Sequence, residues 1–574
     1  MRKNIRISKR LRSSNPFELS MFIIVAIATL LRFILIYFNW PVTNSDEGNM
    51  GLLALHVAYQ GDHPTFFYGL PYMGPLEGYV AAPLFHLLGS SLFTLRLGLL
   101  LFFIGFLLSM YYLVRLLYNE KFALAMVSLL SLGSPDVISR QLKGVGEYPE
   151  TAMFAALICL LAVWLGFSSP LPDQKPTQLE SWKRVIIYGF LGLMVGLALW
   201  VDFLIVPFVL TAGLLLCLFC RRELLHWPGL SLLLGIIIGA FPLIYYNLTA
   251  PWSQNSWNIL LFIHQGGAKD MVAQHLTWVD QIIGTMMIAL PLATGANPHC
   301  PIEAFPPSGA PTATTLPCVL FQSGWSFGYL ILWFIAAFFA VRIVWHYRRS
   351  ILLGFASDNS LEEHRRKALV QCGRLMLLAS VAITLILYAI SPLAAVTPMT
   401  SFRYLTCMLI AIPVLLWPLW QGLNIQKYSL NWRTKGTFLL QAGLLFLVAI
   451  TFVSGTVRTF TEIPAAQAAY HSEEILIQDL MKIGATRIYS EYWTCNRLTF
   501  HSQEKIICSE LDEHLKPGFE RYLPYRSIVR TAPHPTYVFP LNSPQAEVLK
   551  QHIPSSDPDY RQYIFEGYVV YRYE

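Results

Sequence analysis

The chain is 574 residues long, 55% hydrophobic and only 13% charged, against roughly a quarter charged in a soluble domain. That balance excludes a string of ordinary water-soluble domains. The net charge of +7 is not a nucleic-acid footprint either, because Lys and Arg fall in alternate loops between apolar runs, where they anchor a membrane protein.

Apolar runs of about 20 residues recur, the length that crosses a hydrocarbon core of roughly 30 Å. Eleven are read, at about 19–38, 97–117, 122–138, 151–168, 185–202, 204–220, 228–246, 325–343, 373–391, 404–420 and 437–456. The 185–220 stretch divides in more than one way, so ten to twelve spans stay open. Ahead of the first run stand Arg2, Lys3, Arg6, Lys9, Arg10 and Arg12. Basic residues return in every second loop: Arg115 and Lys121; Lys175, Lys183 and Arg184; Arg221 and Arg222; Arg348, Arg349, Arg365, Arg366 and Lys367; Lys427, Arg433 and Lys435. This pattern places the N-terminus in the cytoplasm, and an odd count puts the C-terminal segment outside. The first run contains Arg32 and lacks a small-residue cleavage site, so it reads as an anchor. The expected fold is an all-α polytopic protein of the inner (plasma) membrane over 1–456, with a small extracytoplasmic α/β domain over 457–574.

The first outward segment, about 39–96, is too broken by Gly and Pro for one span and too apolar for a free loop. It reads as short helices lying in the interface. It opens on Asn44-Ser45-Asp46-Glu47-Gly48, followed by a helix to about Tyr59 that Gly61 closes. In one reading Ser45 caps that helix while Asp46 and Glu47 complement its dipole. In the other, a carboxylate so held is a general base toward an acceptor hydroxyl. The same segment carries His63, Tyr68, Tyr72 and Glu77. Its aromatics are interface-belt residues or platforms for a sugar face.

The second outward turn, about 139–150, holds Arg140, Lys143, Glu147 and Glu150 around Gly144 and Gly146. Pro149 suits the first position of the next span, which places Glu150 at its head. The two cations can meet a phosphate. Asp202, in a tight outward turn, reads as a turn residue. The third outward segment, about 247–324, ends in a Pro- and Gly-rich stretch and is a flap or a spacer. A fourth, about 392–403, leads to Ser401-Phe402-Arg403-Tyr404 at the mouth of a late span. An outward Arg there either snorkels to lipid or clamps the phosphate of a lipid-borne ligand. Arg96 is a weaker candidate of that kind.

In the tail, Ser472-Glu473-Glu474 reads as a helix start, and Ile475, Leu476, Leu480 and Ile483 form its buried face up to Gly484. Strands are expected at about 487–489, 505–507, 536–539 and 567–571. The outward cysteines suggest two disulfides, Cys300–Cys318 and Cys495–Cys508. Neither a Walker loop nor a GxGxxG stretch is present.

Four features together resemble the GT-C glycosyltransferases, in particular the bacterial protein mannosyltransferase and aminoarabinose transferase superfamily, called glycosyltransferase 39-like. They are the Asp46-Glu47 pair, the segment from Tyr68 and Tyr72 through Gly74 to Leu76-Glu77 with the run to Leu95-Arg96, the turn Gly146-Glu147-Tyr148-Pro149-Glu150, and the Arg403-Tyr404 pair. The resemblance is best over about 19–165 and leaves the tail without a motif. It implies a sugar donor on a polyprenyl phosphate, transfer outside the cytoplasm, and an acceptor that is a lipid, a protein or a glycan. It further implies Asp46 or Glu47 as catalytic base, Glu150 as a second acid, and Arg403 on phosphate. Where the aminoarabinose transferases carry Lys before Pro-Pro, this chain has Met73-Gly74-Pro75. That argues against aminoarabinose transfer to lipid A and shifts the phosphate role to Arg140, Lys143 or Arg403. A divalent cation can assist such a reaction, although no ligand spacing demands one. A transporter or flippase of lipid-linked saccharides remains the rival reading, and a membrane-anchored scaffold a further one.

Overall fold

The computed structural model describes residues 16–170, 178–264, 277–296, 316–352, 359–425, 432–553 and 559–573. The basic residues 2–12, Lys175, Lys427 and the proposed partner Cys300 lie outside them.

The helices used below are α1 (Pro16–Tyr37), α2 (Ser45–Tyr59), α3 (Leu76–Leu88), α4 (Leu92–Leu117), α5 (Glu120–Leu130), α6 (Pro135–Leu142), α7 (Tyr148–Ser168), α8 (Gln178–Val201), α9 (Val206–Phe219), α10 (Trp227–Gly239), α11 (Phe241–Thr249), α12 (Leu316–Leu352), α13 (Asn359–Ala389), α14 (Ile412–Ile425), α15 (Trp432–Thr461) and α16 (Ile463–Lys482). Among the described residues eight helices are long and apolar enough to cross a membrane, or ten when each of two bent pairs counts as one span. The chain is thus a multi-pass membrane protein. α4 and α7 run through its centre, burying Phe103, Phe106 and Met110 against Phe154, Ile158 and Ala162. On the outside of the bundle, Phe334 and Phe338 of α12 and Leu439 and Phe446 of α15 stand exposed, a surface suited to lipid and not to water.

Three expected spans differ from straight helices. The run at 122–138 is the pair α5 and α6, bent by 87°. Pro135 cannot continue the preceding helix, and the Ser134 side chain caps the new one by accepting from the Val137 N–H. The run at 228–246 is the pair α10 and α11, bent by 62°, with Pro242 in the first turn of α11. The run at 204–220 is a shorter apolar helix, Phe203–Phe219. Within the third outward segment, Trp278–Ala293 is helical, and Ile288, Leu290 and Leu292 join the main core. The Pro- and Gly-rich end, read as a flap or a spacer, lies almost wholly outside the described residues. Arg403 and Tyr404 sit in a 3-10 helix, Phe402–Ala411, that leads into α14.

The C-terminal domain contains β1 (Arg487–Ser490), α17 (Tyr492–His501), β2 (Ile507–Glu510), α18 (Leu523–Arg530), β3 (Thr536–Pro540), α19 (Pro544–His552), β4 (Tyr560–Phe565) and β5 (Tyr568–Tyr573). Its five-stranded sheet has the order β2-β1-β3-β5-β4. β1 is parallel to β2 and β3, while β5 is antiparallel to β3 and β4. The helix expected from Ser472 begins earlier, at Ile463, because it follows directly on α15. A disulfide joins Cys495 on α17 to Cys508 on β2.

This domain does not hang free. α2 is capped by Asn44 and not by Ser45: the Asn44 side chain accepts from the Glu47 N–H, and Ser45 is the first helical residue. The Ser45 hydroxyl instead accepts from Asn496 of α17. α2 and α17 cross so closely that a Cβ on Gly48 would lie 2.5 Å from the backbone nitrogen of Arg497, and one on Gly51 2.6 Å from the Phe500 ring. Met50, Leu53, Phe67 and Phe85 of the first outward segment share one buried cluster with Phe500, Ile507, Tyr525 and Val529 of the tail.

Candidate active site

The turn after α6 is held by three buried carboxylates from three different elements. Glu47 Oε1 on α2 accepts from Gly144 N–H at 3.1 Å. Glu77 Oε2 on α3 accepts from Gly146 N–H at 2.8 Å. Glu150 Oε1 on α7 accepts from Glu147 N–H at 3.2 Å. Gly146 and Glu147 both have positive φ, 88° and 73°, and for Glu147 that costs backbone energy of order 1–3 kcal/mol. The three carboxylates hold this conformation, and with it the residues on either side.

Glu47 has a second task. Its carboxylate receives Arg96 Nε at 2.8 Å and Nη2 at 2.6 Å, and both side chains are fully buried. Burial raises the Glu47 pKa, yet the Arg96 guanidinium and the Gly144 N–H outweigh it and hold Glu47 below the usual carboxylate range. Glu77 and Glu150 face one another. Glu77 Oε1 and Glu150 Oε2 are the oxygens without a partner, and burial together with the neighbouring carboxyl pushes Glu77 well above the usual range. One shared proton satisfies both oxygens, because two adjacent carboxylates cannot both stay ionised there. Glu47, Glu77 and Glu150 each accept one backbone N–H of the turn, and only Glu47 has both oxygens engaged. Arg96, considered for phosphate, is taken by Glu47.

The residues so positioned form a ring of cations and phenols. Arg140, at the end of α6, stacks on Tyr148 and Phe402, with its guanidinium carbon 6.0 Å and 5.6 Å from the ring centres. Arg403 lies over the same Tyr148 at 5.9 Å and over Tyr404 at 5.4 Å, and Nη2 reaches the Tyr404 hydroxyl at 3.5 Å. Both Arg140 Nε and Arg403 Nε are buried without a hydrogen-bond partner. Among the described residues neither guanidinium forms an ion pair. Lys143 is nearby, and burial pushes its ammonium down to about 8 despite the attraction of Glu47. The 87° bend before α6 is what swings Arg140 and Lys143 to this place. Phe103, Phe106, Val137, Ala152 and Leu409, with Gln141 and Thr406, line a small cavity of about 30 Å³ beside Arg140 and Tyr148.

Glu147 and Tyr72 complete the ring, each within electrostatic reach of Tyr404 and Asp202. Asp202 is the turn residue expected, accepting from Leu204 N–H at 2.6 Å. It is also a site acid, since burial and the Glu147 carboxylate push it well above the ordinary range. Asp46, at the start of α2, is reached from the tail. Arg521 Nη2 donates to its Oδ1 at 2.7 Å, and the Tyr492 hydroxyl donates to the same oxygen. Its side chain keeps 15% of its surface exposed, against none for Glu47. Of the two neighbouring acids, Asp46 alone has an accessible oxygen.

Tyr68 is not part of this ring. Its hydroxyl lies between His56 Nδ1 at 2.9 Å and Asp62 Oδ2 at 3.2 Å, in a cluster that ties α2 to the tail. Sequence reasoning missed Tyr148 as a stacking surface, and Arg521 and Tyr492 altogether. An Arg-Tyr step such as Arg521-Tyr522 in a polar tail carries no local sign of a contact made in the first loop. Among the described residues no three His, Cys, Asp or Glu side chains converge to hold a metal ion.

No protein-family model and no curated protein matches the chain. Solved structures do. The ArnT structure from Cupriavidus metallidurans bound to undecaprenyl phosphate superposes with a TM-score of 0.52 at 13% identity, over 96% of this chain and 97% of that one. ArnT in the apo state gives 0.49 at 14% identity, over the same shares. The archaeal oligosaccharyltransferase AglB from Archaeoglobus fulgidus, in complex with an inhibitory peptide and a dolichol-phosphate, gives 0.44 at 10% identity, over 96% of this chain and 74% of that one. The near-complete superposition on ArnT shows that this chain has the GT-C fold its motifs resemble.

Proposed function

We propose that the chain is a membrane glycosyltransferase that moves a sugar from a polyprenyl-phosphate donor to an acceptor hydroxyl of a lipid, protein or glycan on the extracytoplasmic side. The observation that carries this reading is the group of half-buried cations. Arg140 borders a small, largely apolar cavity, Lys143 is close by, and among the described residues neither Arg140 nor Arg403 forms an ion pair. Such cations are stable where a polyanion completes them. The phosphate of a lipid-linked sugar meets that requirement, with its oxygens on the guanidinium groups. The ArnT structure of like fold was solved with undecaprenyl phosphate bound.

In this reading Asp46 is the base. Arg521 and Tyr492 hold Oδ1, leaving Oδ2 to take the acceptor proton. The acceptor oxygen forms its bond to the anomeric carbon as the carbon–phosphate oxygen bond breaks. The electron pair leaves on the phosphate, where Arg140, Lys143 and Arg403 stabilise it. Glu147 lies beside the same ring and offsets positive charge developing on the sugar.

Purified protein supplied with labelled polyprenyl-phosphate sugars should yield a labelled acceptor product, and Asp46→Asn should abolish it while the protein still runs as a folded species. Full transfer by Asp46→Asn removes the assigned base. Movement of the lipid-linked sugar across a vesicle membrane with no new glycosidic bond would favour the flippase reading instead.

A further inference from the structure

The C-terminal domain contains a cavity of about 490 Å³ that the candidate active site does not use. Its floor is one face of the sheet. Tyr489 on β1 is in register with Ser509 on β2 and Tyr537 on β3, and the Tyr489 and Tyr537 rings stack with centres 5.5 Å apart. Arg526 and Arg530 of α18 form one wall, and His552 of α19 with Tyr560 of β4 the other.

The charges are asymmetric. Arg526 Nη2 donates to Gly518 O at 2.6 Å, and its Nε is buried without a partner. Arg530 is exposed and has no ion-pair partner among the described residues. The acid in the lining is the buried Glu510, and burial with Glu520 beside it pushes Glu510 up to about 9. Its carboxyl is therefore protonated near neutral pH and does not repel an anion.

We infer that this cavity holds a saccharide bearing a carboxylate or a phosphate, as a subsite for the acceptor. The stacked Tyr489 and Tyr537 rings, with an apolar body and a hydroxyl each, suit the mixed C–H and hydroxyl surface of a pyranose ring. Paired guanidinium groups suit the fork of an oxyanion. The volume lies in the range of ordinary ligand sites, roughly 300–1,000 Å³. A chain of hydrogen bonds links the cavity wall to the start of α2, where the proposed base sits. Glu510 Oε1 accepts from Asn496 Nδ2 at 3.1 Å, and that same nitrogen donates to Ser45 at 3.0 Å, the residue before Asp46. The segment that brings Arg521 to Asp46 carries Arg526 to the cavity five positions on. As an acceptor subsite the assignment rests on the transferase reading above.

The test is saturation-transfer NMR on the full-length protein in nanodiscs, without donor. The probes are a disaccharide carrying one hexuronic acid, the same disaccharide 6-phosphorylated, its neutral counterpart, and uridine monophosphate. At least one anionic disaccharide should bind about tenfold or more tightly than the neutral one, the scale of a charged hydrogen bond. Which of the two binds separates carboxylate from phosphate. Arg530→Ala, a change at an exposed position, should remove that preference. Equal binding of the neutral sugar, tighter binding of the nucleotide, or an Arg530→Ala protein that keeps the preference overturns the inference. A protein that binds the anionic sugar yet transfers nothing overturns the transferase reading alone. One that transfers sugar yet binds neither anionic probe overturns this inference alone.

Discussion

Arg96→Met separates the positioning role of Glu47 from a chemical one. The two side chains are fully buried and share two hydrogen bonds of 2.6 Å and 2.8 Å. Removing Arg96 leaves a buried carboxylate with only the Gly144 N–H, and breaking such a pair costs about 3–5 kcal/mol. Glu47→Gln with Arg96 intact leaves the converse, a buried guanidinium without its counter-charge, and should cost a comparable amount. The double variant Arg96→Met/Glu47→Gln carries neither charge, and the Gln oxygen can still accept from Gly144. It should therefore lose less than either single change predicts by addition, a coupling of about 2 kcal/mol or more. The pH dependence has a definite sign. Glu47 is held below its ordinary value of 4.5, so the pair contributes fully above that pH and its contribution is lost as pH falls through the lowered value. In Arg96→Met the unpaired carboxyl is raised instead, so that variant should be least destabilised in acid. Thermal unfolding in detergent, followed by tryptophan fluorescence at several pH values, reads all of this. A Glu47→Gln protein that melts like the parent and has lost transfer would refute the positioning role and return Glu47 to the chemistry.

Arg140→Ala and Arg403→Ala should each raise the donor KM about 10–150-fold, the equivalent of one charged hydrogen bond of roughly 1.5–3 kcal/mol; a donor titration with unchanged KM removes them from the phosphate site. Burial holds the Lys143 ammonium at about 8, so its charge is present below that pH and lost above it. Donor affinity should weaken as pH rises through about 8, and Lys143→Arg should flatten that fall; a parent protein with no such weakening counts against Lys143 on the phosphate. Gly48→Ala forces a methyl to within 2.5 Å of Arg497 backbone, which cannot yield as a side-chain tip can. It should loosen the tail from α2 and open the junction between α15 and α16 to protease, and an unchanged digestion pattern would show that the contact is not rigid.

The sequence by itself determined what is local. Apolar runs of membrane length mark the spans because about 20 residues of helix match the hydrocarbon thickness. The start of α2 near Ser45 and its end before Gly61, with φ of 74°, follow from capping chemistry within a few residues. The clustering of acids and cations in the outward turns was legible for the same reason, and so was the Cys495–Cys508 pairing. What each charge does was not legible. Asp46 and Glu47 are neighbours of identical charge, yet one meets Arg521 in the tail and the other Arg96 in α4. Those partners are 475 and 49 residues away, and no periodicity or spacing encodes such a choice. The bend between α5 and α6 had a local sign in Pro135, but its consequence, Arg140 stacked on Tyr148, depends on where α7 packs. Only tertiary packing decided which carboxylates are enclosed with a counter-charge and which keeps an open oxygen. Burial is a property of the assembled bundle, and burial fixes whether a charge serves the fold or stays free for a substrate.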